Sequence, residues 1–272
     1  MQITTWNIRG CNSALKKRLL KRRIDKEKSG IIFLQETKFS GEELANIAHK
    51  VWKGCESIAI DATGVARGLG ILWNPHVVTL SGFLATNCTI SADFHILSTK
   101  IRGVISNVYG PPKVVQKQAF IESLIDLKPL VQNRAWIIRG DINLIRNLDE
   151  KKGGIRSLNI ASTLFNNTIS DLDLIDVRNS NGIFTWNNKQ SGDRGISCRL
   201  DRLLLSESVM MDGGNLRAIV LPVAGSNHWP ITLEWDNVRF NPRRPFRFEK
   251  FWILQPNFQE KLKNWWENSP PH

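Results

Sequence analysis

Several short apolar runs along this 272-residue chain end in a side chain that could do chemistry: Asn7 in "WNIRG", Glu36 in "LQETK", Tyr109 in "NVYGPP", Asp141 and Asn143 in "RGDINL", Asp201 in "CRLDRLL" and His228 in "SNHWP". His228 suits proton or phosphate chemistry. The residue before it, Asn227, is an amide where a carboxylate would help a histidine or hold a metal. Singly, each residue has a plainer reading. Asn7 or Glu36 could cap a turn, Tyr109 could be a core ring with a satisfied hydroxyl, and Asp141 and Asn143 could make turn hydrogen bonds. Their meaning depends on the elements that carry them.

Those elements are mostly strands. β-Branched, apolar runs recur throughout: "QITTWNI", "GIIFLQE", "ESIAI", "LGILWN", "VVTLSGFL", "HILSTKI", "GVISNVYG", "AWIIRGDIN", "IFTW", "RLDRLLLS", "AIVLPV" and "WPITLEW". Apolar residues at three- and four-residue spacing predict helices over 13–28, 41–51, 114–131 and 159–170. Many strands and few long helices predict an α/β fold in which sheets pack face to face with helices outside. The first helix, "KKRLLKRRIDKEK" at its core, has Leu15, Leu19, Leu20 and Ile24 on one side and charge on the other, as a surface helix with a solvated face would. A strand scaffold of this kind can hold all the polar clusters rigidly around one pocket.

The composition narrows the partners. Lys and Arg number 37 against 25 Asp and Glu, a formal net charge of +12, which favours a polyanion such as nucleic acid or an acidic membrane surface. Cys11, Cys55, Cys88 and Cys198 show no C-x-x-C pair, so neither a zinc site nor a disulfide framework is expected, and free thiols in a reducing compartment are. The N-terminus has no signal-peptide pattern and no uncharged apolar run approaches the ~20 residues that span a bilayer, so a nuclear or cytosolic chain with no membrane partner is expected. One domain is expected over 1–236. Over 237–272 the texture turns to Pro, Arg and aromatic residues, followed by a short amphipathic helix at 257–266, which reads as a linker and docking tail of something longer.

Taken together and in this order, the clusters resemble the endonuclease/exonuclease/phosphatase superfamily. The phrases "TWNIRG", "LQETK", "YGPP", "GDIN", "FTW", "RLDRLL" and "HWPI" resemble those of the endonuclease domain of plant LINE-type (non-LTR) retrotransposons. The tail "RRPFRFEKFW" resembles the segment leading to a reverse transcriptase. The resemblance implies a four-layer α/β sandwich of two mixed sheets, Mg²⁺ (or Mn²⁺) as cofactor, and nicking of DNA to leave a 3′-hydroxyl. Phosphodiester hydrolysis needs a nucleophilic water, charge stabilisation on the phosphoryl oxygens and help for the leaving oxygen. Glu36 is the expected metal ligand, with Asn7 beside it and Asn227 at the remaining metal position. Asp141 would orient or deprotonate the water. Asn143, on the same strand face if the strand continues, and Tyr109 would donate to phosphate oxygens. His228 would contact the scissile phosphate while Asp201 holds its other nitrogen. Thr185 is a further candidate, either for substrate or for supporting another site residue.

The family pattern has an aspartate where this chain has Asn227, which brings no charge and predicts a weakened site. Two alternatives remain open: an inactive nucleic-acid-binding remnant and a small-molecule phosphoesterase. Other patterns compete poorly. Ser226 lacks a G-x-S-x-G elbow and reads as a turn residue; "GVARGLG" at Gly64 to Gly70 lacks the P-loop lysine and reads as a turn between strands; Trp186 and Trp229 are expected to pack beneath the site.

Overall fold

The computed structural model describes residues 1–63, 66–132, 134–211, 215–222, 225–236 and 258–268. The chain divides into two units, Met1–Val238 and Arg239–His272. The strands of the first are β1 (Gln2–Asn7), β2 (Ile31–Gln35), β3 (Glu56–Thr63), β4 (Ala66–Trp73), β5 (Val78–Ala85), β6 (Thr89–Ile96), β7 (Arg102–Tyr109), β8 (Ala135–Asp141), β9 (Lys151–Lys152), β10 (Leu174–Asp176), β11 (Trp186–Asn187), β12 (Ser197–Cys198), β13 (Asp201–Ser206), β14 (Asn215–Val220) and β15 (Ile231–Asp236). Its helices are α1 (Ala14–Glu27), α2 (Gly41–Val51), α3 (Lys117–Ile125), α4 (Lys128–Val131), α5 (Ile160–Asp171) and α6 (Glu207–Met211). In the second unit α7 (Phe258–Asn268) exposes Leu262, Trp265 and Trp266, and the basic, aromatic stretch 237–257 lies outside the described residues.

Two six-stranded sheets have the orders β14-β15-β1-β2-β4-β3 and β10-β13-β8-β7-β6-β5, and β11-β12-β9 form a small third sheet. Both large sheets are mixed: β1 runs parallel to β2 and β7 to β8, while their other pairings are antiparallel. The period of two along each strand sorts side chains into layers. Phe33 and Ile137 point into the core shared by the two sheets, whereas their neighbours Ile32, Leu34, Trp136 and Ile138 point outward to the helices. Leu20 and Ile24 of α1 and Leu44, Ile47, Ala48 and Val51 of α2 cover the first sheet. Phe120, Ile121 and Leu124 of α3 and Phe165 and Ile169 of α5 cover the second. Each such side chain contributes about 1.5–3 kcal/mol of burial, so the four-layer α/β sandwich follows from where the apolar residues fall.

The helix ends are chemically marked. Ser13 caps α1 by accepting from Lys16 N, and Ser40 and Glu43 form a reciprocal capping box on α2. Four expectations need correction. The single helix over 114–131 is a 3₁₀ turn followed by α3 and α4, because Pro129 has no N–H to donate and its ring would clash with the carbonyl of Ile125. The strand centred on "HILSTKI" lies earlier: Ile90, Ala92, Phe94 and Ile96 of β6 face the inter-sheet core, and the chain turns at Lys100, whose φ is 64°. "GVARGLG" is a turn only in part, since β3 and β4 stay paired up to Thr63 and Ala66 and β4 runs through Gly68 and Gly70; residues 64 and 65 lie outside the described residues. Leu15 is exposed and does not join the buried side of α1.

Candidate active site

Strand direction and register bring the polar clusters together. β1 and β2 run parallel and end side by side, with Asn7 opposite Gln35, the residue before Glu36. In the facing sheet β7 and β8 run parallel with Tyr109 opposite Asp141, and antiparallel β13 begins with Asp201 opposite the same Asp141. His228 stands just before β15 and forms an isolated bridge with Trp186. Strand ends of both large sheets therefore meet at one place.

One hydrogen-bonded chain links Tyr109, Glu36, Asn7, Asp141 and Asn143, and a second group, Thr185, Asp201 and His228, approaches it at Asp141. Asn7 Nδ2 donates to Glu36 Oε1 at 3.0 Å and to Asp141 Oδ2 at 2.8 Å, while Asn7 Oδ1 accepts from Arg9 N. Tyr109 donates its hydroxyl to Glu36 Oε1 at 3.2 Å. Asn143 donates its backbone N–H to Asp141 Oδ1 at 3.0 Å and its amide to Asp141 Oδ2 and Gly110 O. His228 Nδ1 lies 2.9 Å from Asp201 Oδ2, and its Nε2 lies 3.7 Å from Asp141 Oδ2. Thr185 is fully buried and donates to Asp201 Oδ2 at 2.7 Å. The side-chain contact this geometry shows for it is with Asp201. β8 does not continue past Asp141: Asn143 reaches back through a left-handed turn with φ 55°, so it does not share a strand face with Asp141 as expected.

Asn227 stands apart from this chain. Its carbonyl accepts from Asn187 N at 3.1 Å, and its side chain makes no hydrogen bond among the described residues. Asp141, Asp201 and His228 each offer one ligand atom, and these atoms lie within 4.8 Å of one another. Trp186 and Trp229 are half-buried beside His228, Trp229 N donating to Thr185 O.

The electrostatics follow from burial and crowding. Burial alone would lower the His228 pKa, but the carboxylates of Asp201, Asp141 and Glu36 outweigh it and hold it at about 9. Burial pushes Asp141 up to about 7; Asp201 adds to this, and His228, Asn7 and Asn143 oppose it. Glu36 is itself held in a left-handed conformation, φ 51°, which a non-glycine residue keeps only where its surroundings enforce it. Gly68 is part of that enforcement. Its carbonyl accepts from Thr37 N, and a Cβ there would collide with Thr37 Oγ1.

A cationic rim flanks the site. Arg9, Lys38 and Lys189 are exposed, have positive φ, and each stands two residues after a residue of the site or of its Asn227 contact: Asn7, Glu36 and Asn187. Burial, followed by the charges of Lys38, Arg9 and Lys189, lowers the pKa of the nearby Lys16, with Cys11 opposing.

Three contributors escape a reading of the sequence. Ser226 is no ordinary turn residue: buried, it donates to Asn7 O at 2.8 Å and accepts from His228 N, tying the histidine to β1. Arg139, fully buried on β8, donates across the sheets to Ile3 O and Ile231 O and so ties β8 to β1 and β15. Lys117 at the start of α3 donates to Asn143 O. Only the serine's place within the His228 motif hinted at its importance.

Residues 4–228 match the Endonuclease/Exonuclease/phosphatase family. No curated protein matches the chain. Among solved structures, the fold is similar to the endonuclease domain of TRAS1, a telomere-specific non-LTR retrotransposon, at 16% identity and a TM-score of 0.66 over 86% of this chain and 97% of that one. It is similar to an AP endonuclease from Archaeoglobus fulgidus at 16% identity and a TM-score of 0.67, covering 87% and 99%. It is also similar to a mannosyl-6-phosphatase from Bacteroides thetaiotaomicron at 14% identity and a TM-score of 0.61, covering 86% and 99%.

Proposed function

The chain belongs to the Endonuclease/Exonuclease/phosphatase family, and from that premise we propose that it is a metal-dependent phosphodiester hydrolase that nicks DNA, of the kind found in non-LTR retrotransposons and weakened by Asn227. The observation that carries the reading is the single amide of Asn7 joining Glu36 to Asp141, with the His228–Asp201 pair alongside. The donor set fits a hard divalent cation such as Mg²⁺ or Mn²⁺: Glu36, Asp141 and Asp201 are carboxylates, Asp141 and Asp201 offer ligand atoms within 4.8 Å of each other, and the buried Oδ1 of Asp201 has no hydrogen-bond partner among the described residues. Glu36 would hold the ion with Asn7 beside it, Asn227 would stand at the remaining metal position without a charge to offer, and the ion would supply charge stabilisation at the phosphoryl oxygens.

The chain's own groups do the rest. Asp141, with a pKa near neutrality, orients the attacking water and takes its proton. The water oxygen bonds to phosphorus as the bond to the 3′-oxygen breaks, and that oxygen takes a proton from solvent water and leaves as a 3′-hydroxyl. His228, held as an imidazolium by Asp201, contacts the phosphate. Tyr109 and Asn143 would turn their donors from Glu36 and Asp141 to the remaining oxygens when the phosphate binds. The net charge of +12 and the rim of Arg9, Lys16, Lys38 and Lys189 favour a polyanionic strand over a small phosphoester. Residues 237–272 are proposed as the link to a reverse transcriptase region, and a nuclear site of action goes with that reading.

Nicking of supercoiled plasmid with Mg²⁺ tests the function. The chain is expected to nick, Glu36→Ala to abolish nicking, and Asn227→Asp to raise the rate roughly 10- to 100-fold, the usual cost of a lost supporting ligand. Binding without nicking by the chain and by Asn227→Asp would leave the inactive DNA-binding remnant; hydrolysis of sugar phosphates but not DNA would leave the small-molecule phosphoesterase.

A further inference from the structure

The buried residues of α3 are Lys117, Phe120, Ile121 and Leu124, the three- and four-residue spacing of a stripe that faces a core. Three are apolar and pack against the second sheet. The first is a cation, and only 7% of it is exposed. Burial and the helix dipole both argue against that placement, and the charge of Asp141 favours it. Burial strips an ammonium of water, and the first turn of a helix carries the positive end of its dipole. Lys117 also makes no ion pair among the described residues. A lysine stem usually carries its charge out to solvent. Here Nζ instead donates to the backbone carbonyl of Asn143.

That carbonyl belongs to the turn that shapes the site. Asn143 has φ 55°, and its N–H and side-chain amide both donate to Asp141 while the amide also reaches Gly110 O. A left-handed asparagine persists where several bonds fix it at once. The Lys117 bond fixes the backbone carbonyl of Asn143, which its other three bonds leave out. Without it the peptide after Asn143 is free to rotate, and the two groups aimed at Asp141 move with it.

We propose that Lys117 is a positioning residue, whose ammonium anchors the Asn143 carbonyl and so fixes Asp141 and the Asn143 amide in their working geometry. The proposal rests on the reading of this site as a phosphoesterase centre. Lys117→Met keeps the length and apolar contacts of the stem and removes the charge, whereas Lys117→Arg keeps a cationic donor. With bis(p-nitrophenyl) phosphate and Mg²⁺, Lys117→Met is expected to lower kcat about 10- to 100-fold with KM unchanged, as loss of an orienting partner does. Lys117→Arg is expected to recover most of it. The melting temperature of Lys117→Met should stay within about 2 °C of the parent or rise, because a desolvated charge has been replaced by a packed apolar chain. An unchanged kcat, or a loss matched by a falling melting temperature, overturns the proposal.

Amide hydrogen exchange provides a readout that does not depend on turnover. Lys117→Met should speed exchange over residues 141–147 about 10-fold or more while the interior of β8 and α5 stays as in the parent. Equal exchange in the two proteins overturns the anchoring role. A parent that hydrolyses nothing overturns the functional reading instead, and the exchange comparison then decides the anchor by itself.

Discussion

His228 and Asp141 hold their protons more tightly in the folded chain than in the unfolded one. For Asp141 the pKa rises from 3.8 to about 7, so the folded state keeps a proton that the unfolded state has released across that interval. For His228 the rise is from 6.5 to about 9, and the stabilisation it brings is fully present below 6.5 and lost as pH rises through 9. Both shifts have the same sign: stability declines with rising pH wherever the folded state binds the extra proton. In EDTA the melting temperature should therefore drop between about pH 6 and pH 9, and the drop should be smaller in His228→Gln. Equal drops in parent and variant would show that His228 is not held by the carboxylates around it. These residues were legible in the sequence because each ends an apolar run, where a strand can deliver it to a shared edge. Lys117 and Arg139 were not, because a charged residue within a periodic or strand pattern reads as solvent-facing until its tertiary acceptors, Asn143 O, Ile3 O and Ile231 O, are known.

The connection after Asn143 and the junction of β12 with β13 are held by ions as well as by apolar residues such as Leu144. Arg199 and Arg202 both pair with Glu150 and Asp176, and Arg146 pairs with Asp176 and donates its N–H to Glu150 Oε2 at 2.7 Å. Arg199 and Arg202 flank Asp201 in sequence, so this network sets where β13 begins and where Asp201 meets His228. Burial raises the Glu150 pKa, but hydrogen bonds and charge from Arg202, with Arg146 and Arg199, outweigh it and hold the carboxyl at about 2, below its usual 4.5. Its contribution is present above about pH 4.5 and is lost as pH falls toward 2. Glu150→Gln should cost about 3–5 kcal/mol at neutral pH, the price of leaving buried arginines short of a carboxylate. The variant should also show a flatter loss of stability in acid, as denaturant titrations at several pH values would reveal. A variant as stable as the parent at pH 7 would mean that the network is incidental. Elements fixed by apolar periodicity, such as α2 and β8, were readable from the sequence. The two-residue strands β9 and β12 were not, because this ion network and their mutual pairing hold them and neither leaves a period in the sequence, while the strand read at "IFTW" is reduced to Trp186 at the start of β11.

Across the whole molecule, family membership and layer architecture leave the substrate open, since relatives of this fold include a mannosyl-6-phosphatase as well as endonucleases. Charge provides the discriminating argument. A surplus of +12 attracts any polyanion, but Arg9 and Lys38 each lie two residues after a site residue, Asn7 and Glu36, which puts part of it beside the site. A small sugar phosphate has no neighbouring phosphates for these cations to meet, whereas a duplex has one on either side. Each neutralised phosphate releases counterions, so the slope of log K against log salt is about −0.9 per contact on duplex DNA. Duplex binding measured in EDTA should thus weaken steeply between about 50 and 200 mM salt. Combining Arg9→Ala with Lys38→Ala should make the slope shallower by about 1.8, two contacts at that increment, whereas Lys128→Ala, on α4 and bonded to Asp171 O, should leave it unchanged. If the double variant keeps the parent slope, the rim does not touch the backbone. If the parent itself shows no salt dependence, the charge is general surface charge and the small-phosphoester reading becomes the stronger one.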